Sequence, residues 1–293
     1  TPLYSSAASD VYKRQGESNG AISILHALGL GRGCSIGIQL TTKVQIVDEA
    51  VENEDDRHGL LAAVEKCWRD RGLPIPDQFG WKVDSSIPIG QGLKSSSALS
   101  CAALRALNSC AWAGLSNHEI ADIATNSQLI SNCAKTGSMD DNWASLEPGW
   151  KLVDPTLSAS ESIILQGDID PRLSILLVLR GERSVEISPE AFSHQEQIFE
   201  RSLASIMRGS ILDALSSNGM AVAAATDDQE ALRICNLSIA SGAIAAGISG
   251  SGPSIAIVCF QEDSTSLSKV FSESGFEVIS TGIYLKDEIS EVQ

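Results

Sequence analysis

Basic residues are scarce in this sequence: 21 lysines and arginines stand against 37 aspartates and glutamates, a formal charge of −16. A surface of that sign repels a phosphate backbone, so no nucleic-acid partner is expected. Long apolar runs are missing as well. Nothing approaches the roughly 20 residues that a membrane-crossing helix needs, and the N-terminal stretch has no apolar core of a signal peptide. No membrane partner is expected. Only four histidines are present, none at metal-ligand spacing. The seven cysteines (34, 67, 101, 110, 133, 235 and 259) are odd in number and never fall as Cys-x-x-Cys. Most sit in apolar stretches, which reads as buried free thiols in a reducing cytoplasm. Two nucleotide signatures are also absent: the Gly-x4-Gly-Lys-Ser/Thr loop, and Gly-x-Gly-x-x-Gly, which the turn Gly29–Gly33 does not match.

What is present is organised around Pro88, Ile89, Gly90, Gln91, Gly92, Leu93, Lys94, Ser95, Ser96, Ser97 and Ala98. Gly90 and Gly92 let backbone approach a ligand closely. The first N–H groups of the Ala/Leu/Cys-rich helix that follows lack intrahelical partners and can face an anion. Three hydroxyls and a lysine add donors and charge. The stretch suits a polyphosphate, and equally suits an ordinary serine-capped helix.

With 293 residues the chain has room for two domains. Thr1–Gln15 is small, polar and aperiodic, and reads as a non-native or disordered leader. Ala21–Ala27 is an apolar run with the look of a strand or a helix start. Ile36, Ile38, Leu40, Thr42, Val44 and Ile46 alternate, which predicts a half-buried strand or hairpin. Leu60, Leu61, Val64, Cys67 and Trp68 mark a helix, and Phe79, Trp81 and Val83 a strand leading into the glycine-serine loop. Ser116–Glu119 has capping-box spacing, which assigns Glu119 to a helix start, while His118 is expected exposed and His26 packed or hydrogen-bonded.

A second chemical stretch, Lys135–Ala144, carries Asp140 and Asp141 beside a glycine turn. Such pairs are common turn residues, and they also suit an acid that takes a proton from an attacking hydroxyl beside one that meets Mg²⁺. A serine- and acid-containing link over 154–171 predicts a domain boundary, giving units of 16–160 and 161–293. Arg180 and Arg183 close a strand at Ile175–Leu179, as solvated charges or as anion ligands. Alanine-rich helical pattern runs over 219–245. A third glycine stretch, Gly247–Ser254, then reads as a helix-to-strand connection, ahead of a strand at 255–260, a helix near 264–274 and a last strand near 277–284. The second half suits a helix-covered antiparallel sheet.

Taken together, the three stretches resemble the GHMP kinase superfamily, and within it the archaeal-type shikimate kinases. Pro88, Gly92, Leu93, Ser95, Ser96, Ser97 and Ala98 match the Pro-x3-Gly-Leu-x-Ser-Ser-Ser-Ala of that family. Gly20–Leu40 is similar to its opening, Thr136–Asp141 looks like its Thr-Gly-Ala-Phe-Asp-Asp, and Gly247–Ser254 matches its glycine-rich third motif. The likeness covers about residues 18–285. It implies an α+β, two-domain GHMP kinase fold, ribosomal-protein-S5-like then ferredoxin-like, with the site between the domains. It further implies ATP- and Mg²⁺-dependent phosphorylation of the 3-hydroxyl of shikimate. On that reading the 88–98 loop cradles the ATP phosphates, Ser96 and Asp141 meet the metal, Asp140 is the base, and Gly250, Ser251 and Gly252 shape the floor. Acceptors such as homoserine or mevalonate, or ligand binding without turnover, are the alternatives. Two departures stand out. Ala21 occupies a position where many members carry lysine, leaving Lys94 or Arg32 as the cation. Residues 125–135 hold no acid, leaving Asp141, Gln128 or the ATP phosphates to meet the metal.

Overall fold

The computed structural model describes residues 14–49, 56, 58–134, 136–181 and 186–285. Residues 1–13 of the expected leader, Lys135 and Arg183 therefore lie outside the described residues. Arg14 and Gln15 lie inside and do not behave as a leader. Gln15 opens the first strand opposite Gln45, and the Arg14 carbonyl accepts from the Ile46 N–H.

The apolar run at 21–27 is a strand and not a helix start. β1 (Gln15–Leu25) breaks at His26, and α1 (Ala27–Leu30) makes one turn that Gly31 ends in the left-handed region, φ 66°. β2 (Gly33–Val47) is buried on both faces through Ile38 and shows the expected alternation mainly in its second half. α2 (Leu60–Asp70) turns Leu60, Leu61, Val64 and Trp68 inward at helical spacing. Its first N–H groups, at Leu60 and Leu61, are taken by the Asp56 carboxylate. β3 (Gly80–Ser85) delivers the chain to the glycine-serine loop and to α3 (Ser95–Ala111). α3 is apolar nearly all round because it is the central helix of this half, packed on β1, β2 and α4 (Asn117–Ile130). Glu119 accepts from the Ser116 N–H at 2.9 Å, so it caps α4 as its spacing predicts. α5 (Asp140–Leu146) and β4 (Trp150–Val153) follow.

The link at 154–171 is not free of regular structure. β5 (Ile163–Gly167) lies within it and pairs with β4, so the first sheet runs past residue 160. Its order is β1-β2-β4-β5, with β3 paired to the far half of β2. The second sheet then collects β6 (Leu173–Leu179), with α6 (Pro189–Ser193), α7 (Glu196–Met207), α8 (Ile211–Ala225) and α9 (Gln229–Ala240) between it and its next strand. β7 (Ala245–Ile248), β8 (Ile255–Phe260), α10 (Ser264–Ser272) and β9 (Glu277–Gly282) complete it, in the order β7-β8-β6-β9, every pair antiparallel.

β7 corrects the sequence reading. Ala-Ala-Gly-Ile is too short an apolar run for periodicity to separate strand from helix. Tertiary contact decides it: Gly219 of α8 faces Gly247 of β7 so closely that a Cβ there would lie 2.4 Å from the Gly247 Cα. The third glycine stretch is consequently the turn of a β-hairpin, not a helix-to-strand link. The fold is mixed α+β. One buried cluster runs from β1 and the start of β2 through β6, β7 and β8 to Phe192, Phe199 and Phe271, and a second fills the space among α2, α3 and α4. All seven cysteines are free, with Cys34, Cys67, Cys101 and Cys259 buried. No helix among the described residues is long and apolar enough to cross a membrane.

Candidate active site

The glycine-serine loop reaches α3 through three left-handed residues, Gly90 (φ 72°), Gly92 (φ 77°) and Lys94 (φ 64°). Lysine in that region is strained, and Lys94 stands as the N-cap of α3, whose first N–H groups have no intrahelical partner. The first backbone bond of the helix is Ala98 N–H to the Lys94 carbonyl, which leaves the N–H groups of Ser95 and Ser96 unclaimed by the helix. The loop is held from the other sheet. Ser249 Oγ donates to the Gly92 carbonyl at 2.8 Å, and the Ser254 N–H and hydroxyl both donate to the Gln91 carbonyl. Gly92 must be glycine for this contact, since a Cβ would lie 2.1 Å from the Ser249 carbonyl oxygen. The Gln91 amide turns inward to the Gly181 carbonyl. Arg180 is neither a solvated charge nor a free anion ligand. It forks onto Asp228 at 2.7 and 2.8 Å, reaches Glu230 at 2.8 Å, and donates to the Pro253 carbonyl, bracing the hairpin from behind.

Asp140 and Asp141 open α5, whose free N–H groups favour negative charge in the first turn. Both carboxylates point at β2. Ser35 Oγ lies 2.6 Å from Asp140 Oδ2 and 2.9 Å from Asp141 Oδ1, and the Ser138 hydroxyl donates to Asp140 Oδ1. Lys94 Nζ pairs with Asp141 Oδ1 at 2.9 Å. Gly33 makes room, for a Cβ there would lie 2.1 Å from Asp140 Oδ1.

The electrostatics of the pair are unequal. Burial, then the neighbouring Asp141 charge, pushes Asp140 up to about 7. Asp141 is also penalised by burial, but the charge and hydrogen bond of Lys94, with help from Ser35, hold it below the ordinary carboxylate value. The Ser35 hydroxyl has one proton to offer two carboxylates. Both contacts are satisfied when Asp140 is protonated and donates to Ser35, which in turn donates to Asp141.

These groups share one cleft of about 370 Å³. Ile89, Gly90, Gly92, Leu93, Lys94, Ser95 and Ser96 line one side, Asp140, Asp141, Thr136, Ser138 and Gln128 another, and Gly250 and Ser251 close it with β1 residues Ser23, Leu25 and the adjoining His26. Other residues singled out in the sequence do not line it. Pro88, Gln91 and Gly252 do not line the cleft, Ala98 is fully buried, and the Ser97 hydroxyl accepts from Gln128 in the interior. Arg32 does not line it either, so among the described residues Lys94 is the only lysine or arginine on the wall.

Residues 58–149 match the family model for the N-terminal domain of GHMP kinases. A shikimate kinase of Thermoplasma acidophilum is 28% identical over 270 residues, covering 89% of this chain and 92% of that protein. Those of Methanothermobacter thermautotrophicus (22%, 93% and 96% covered) and Pyrococcus furiosus (25%, 91% and 98%) match along the same length. The likeness to GHMP kinases is thus carried by residues 58–149, and the likeness to these shikimate kinases runs along most of the chain. Solved structures agree on the GHMP fold: Methanococcus jannaschii mevalonate kinase superposes with TM-score 0.74 at 16% identity, covering 92% of this chain and 98% of that one. Homoserine kinase from Cytophaga hutchinsonii superposes with TM-score 0.63 at 14% identity, covering 92% and 94%.

Within this GHMP fold, sequence reasoning missed three residues of the site: His26 on the cleft wall, and Ser35 and Gly33 packed against the carboxylates behind it. In the sequence Gly33 reads as the end of a turn and Ser35 as a residue just ahead of the alternating strand, and nothing local ties them to a carboxylate a hundred residues later. His26 was expected to be packed or hydrogen-bonded, and it is: Nδ1 accepts from the Leu28 N–H and Nε2 meets Ser251 Oγ at 2.9 Å. Its place on the cleft wall had no sequence signal.

Proposed function

We propose that the chain is a small-molecule kinase that transfers the γ-phosphoryl group of ATP to the 3-hydroxyl of shikimate. The observation that carries this reading is the meeting of the α3 start, Lys94 and the Asp140–Asp141 pair in one cleft. Support for the acceptor comes from the three relatives named above, shikimate kinases that match along about nine-tenths of the chain, and from Thr136–Asp141 and the Gly31-Arg32-Gly33 turn.

In this mechanism the N–H groups and hydroxyls of Ser95 and Ser96, with the glycine backbone at 90 and 92, hold the phosphates. Asp140, once ionised, accepts the proton of the attacking hydroxyl as its oxygen bonds to the γ-phosphorus and the bond to the β,γ-bridging oxygen breaks. Lys94 offsets charge on the transferring group, while Ser35 and Ser138 fix the orientation of Asp140. The donor set fits Mg²⁺: hard oxygens at Ser96 and Asp141, on a wall where two carboxylates face a single lysine. No cluster of three or more acidic, histidine or cysteine ligands exists among the described residues, which suits an ion that takes much of its shell from phosphate oxygens and water. Ser96 and Asp141 would hold it, and it would supply charge neutralisation on the phosphates.

A coupled ADP-release assay with shikimate, homoserine and mevalonate, each with and without Mg²⁺, tests the reading. Turnover on shikimate alone is expected. Turnover on another of the three, or none on any, defeats the acceptor assignment or the catalytic one respectively.

A further inference from the structure

Resting on that acceptor reading, we propose that Ser23 is a specificity-determining residue: its hydroxyl bonds a second hydroxyl of the acceptor, on the carbon next to the one phosphorylated, so the site favours vicinal diols. Ser23 stands opposite Ser35 in the β1–β2 register. Opposed residues of antiparallel strands project from the same face, their Cβ atoms about 4.5–5.5 Å apart. Ser35 is the hydroxyl that touches both carboxylates, so Ser23 lies one cross-strand step from the group that holds Asp140, and both Ser23 and Asp140 line the cleft.

Ser23 lines the cleft, yet it is only 2% exposed and its Oγ has no hydrogen-bond partner among the described residues. Ser18, on the same strand, shares that lack of a partner but does not line the cleft. A buried hydroxyl left unpaired is destabilising unless a ligand supplies the partner. The surroundings suit a ring with hydroxyls along one edge. Leu25 and Leu28 offer apolar surface, and Ser251 offers a further hydroxyl. Because His26 Nδ1 accepts from the Leu28 N–H, the neutral ring carries its proton on Nε2 and donates it to Ser251 Oγ, leaving the Ser251 proton for another acceptor. When the reacting hydroxyl approaches Asp140, the hydroxyl on the adjacent carbon is the one brought toward Ser23. In shikimate that group is the 4-hydroxyl.

The test is a cycle of kcat/KM values for wild type and Ser23→Ala on shikimate, 4-deoxyshikimate and 5-deoxyshikimate. Wild type is expected to discriminate against the 4-deoxy compound by about 3- to 10-fold, the range for one neutral hydrogen bond. Ser23→Ala is expected to lose a similar factor on shikimate and to treat shikimate and its 4-deoxy analogue alike. Its melting temperature should equal or exceed that of wild type, since an unpaired buried hydroxyl is removed. A 4-deoxy penalty of equal size in both proteins overturns the proposal, as does erasure of the 5-deoxy penalty instead. Wild type that fails to turn over shikimate at all refutes the acceptor assignment itself, and this inference with it.

Discussion

Asp140→Asn separates two properties that a structural carboxylate would keep together. The native side chain is desolvated and faces Asp141, which raises it from its ordinary 3.8 to about 7. A group raised in the folded state holds its proton while the unfolded chain has lost it, so folding is favoured at low pH and the advantage disappears as pH climbs through about 7. At 1.36 kcal/mol per tenfold change, the full shift is worth about 4 kcal/mol, and water entering the cleft with the charge trims it to the order of 2–4 kcal/mol. Asparagine copies the protonated form: its Nδ2 donates to Ser35 as a protonated Asp140 would, and its oxygen still accepts from Ser138. In EDTA without nucleotide, urea denaturation is expected to find the variant more stable than wild type by about 2 kcal/mol or more at pH 8, with the gap closing toward pH 4. Turnover should fall by about 10² or more, the upper part of the general-base range. Two parallel stability–pH curves would refute the electrostatic account, and near-wild-type turnover would remove Asp140 from proton transfer.

Ser96→Ala should raise the KM for Mg·ATP several-fold and leave the acceptor KM nearly unchanged; an unaltered Mg²⁺ titration would exclude its hydroxyl from the metal shell. Gly33→Ala puts a methyl 2.1 Å from Asp140 Oδ1, so the carboxylate must move, and a displacement of that order costs about 10² in kcat while circular dichroism stays native. Arg180→Met strands Asp228 and Glu230; because both reach solvent the loss should be about 2–3 kcal/mol rather than the full buried-pair cost, read by urea denaturation in a double-mutant cycle with Asp228→Asn.

Much of this fold was legible because its elements announce themselves locally. α2 carries its stripe, α4 its capping box, and β3 feeds the glycine-serine loop directly. The α3 start and the carboxylate pair were also visible as chemistry, since glycine, serine, lysine and aspartate cluster in short stretches. β5 and β7 were not, because each is a brief run whose strand character comes from its neighbours across the sheet. Ser35, Gly33 and Ser23 were invisible for a related reason. The contacts of Ser35 and Gly33 arise from α5 packing over β2 about a hundred positions later, and the place of Ser23 from the β1–β2 register. Gln91 and Ser97 teach the converse: motif positions that look like ligand contacts turn their side chains into the protein.

The bonds from Ser249 and Ser254 to the carbonyls of Gly92 and Gln91 have a temporal consequence. The loop at 88–94 takes its shape from a hairpin made more than 150 residues later in the chain. During synthesis the first sheet and α3 leave the ribosome well before that hairpin does. The loop ahead of α3 is therefore among the last features of the molecule to mature, and a chain truncated before Gly247 would lose α10, β8 and β9 together with the two serine contacts that fix that loop.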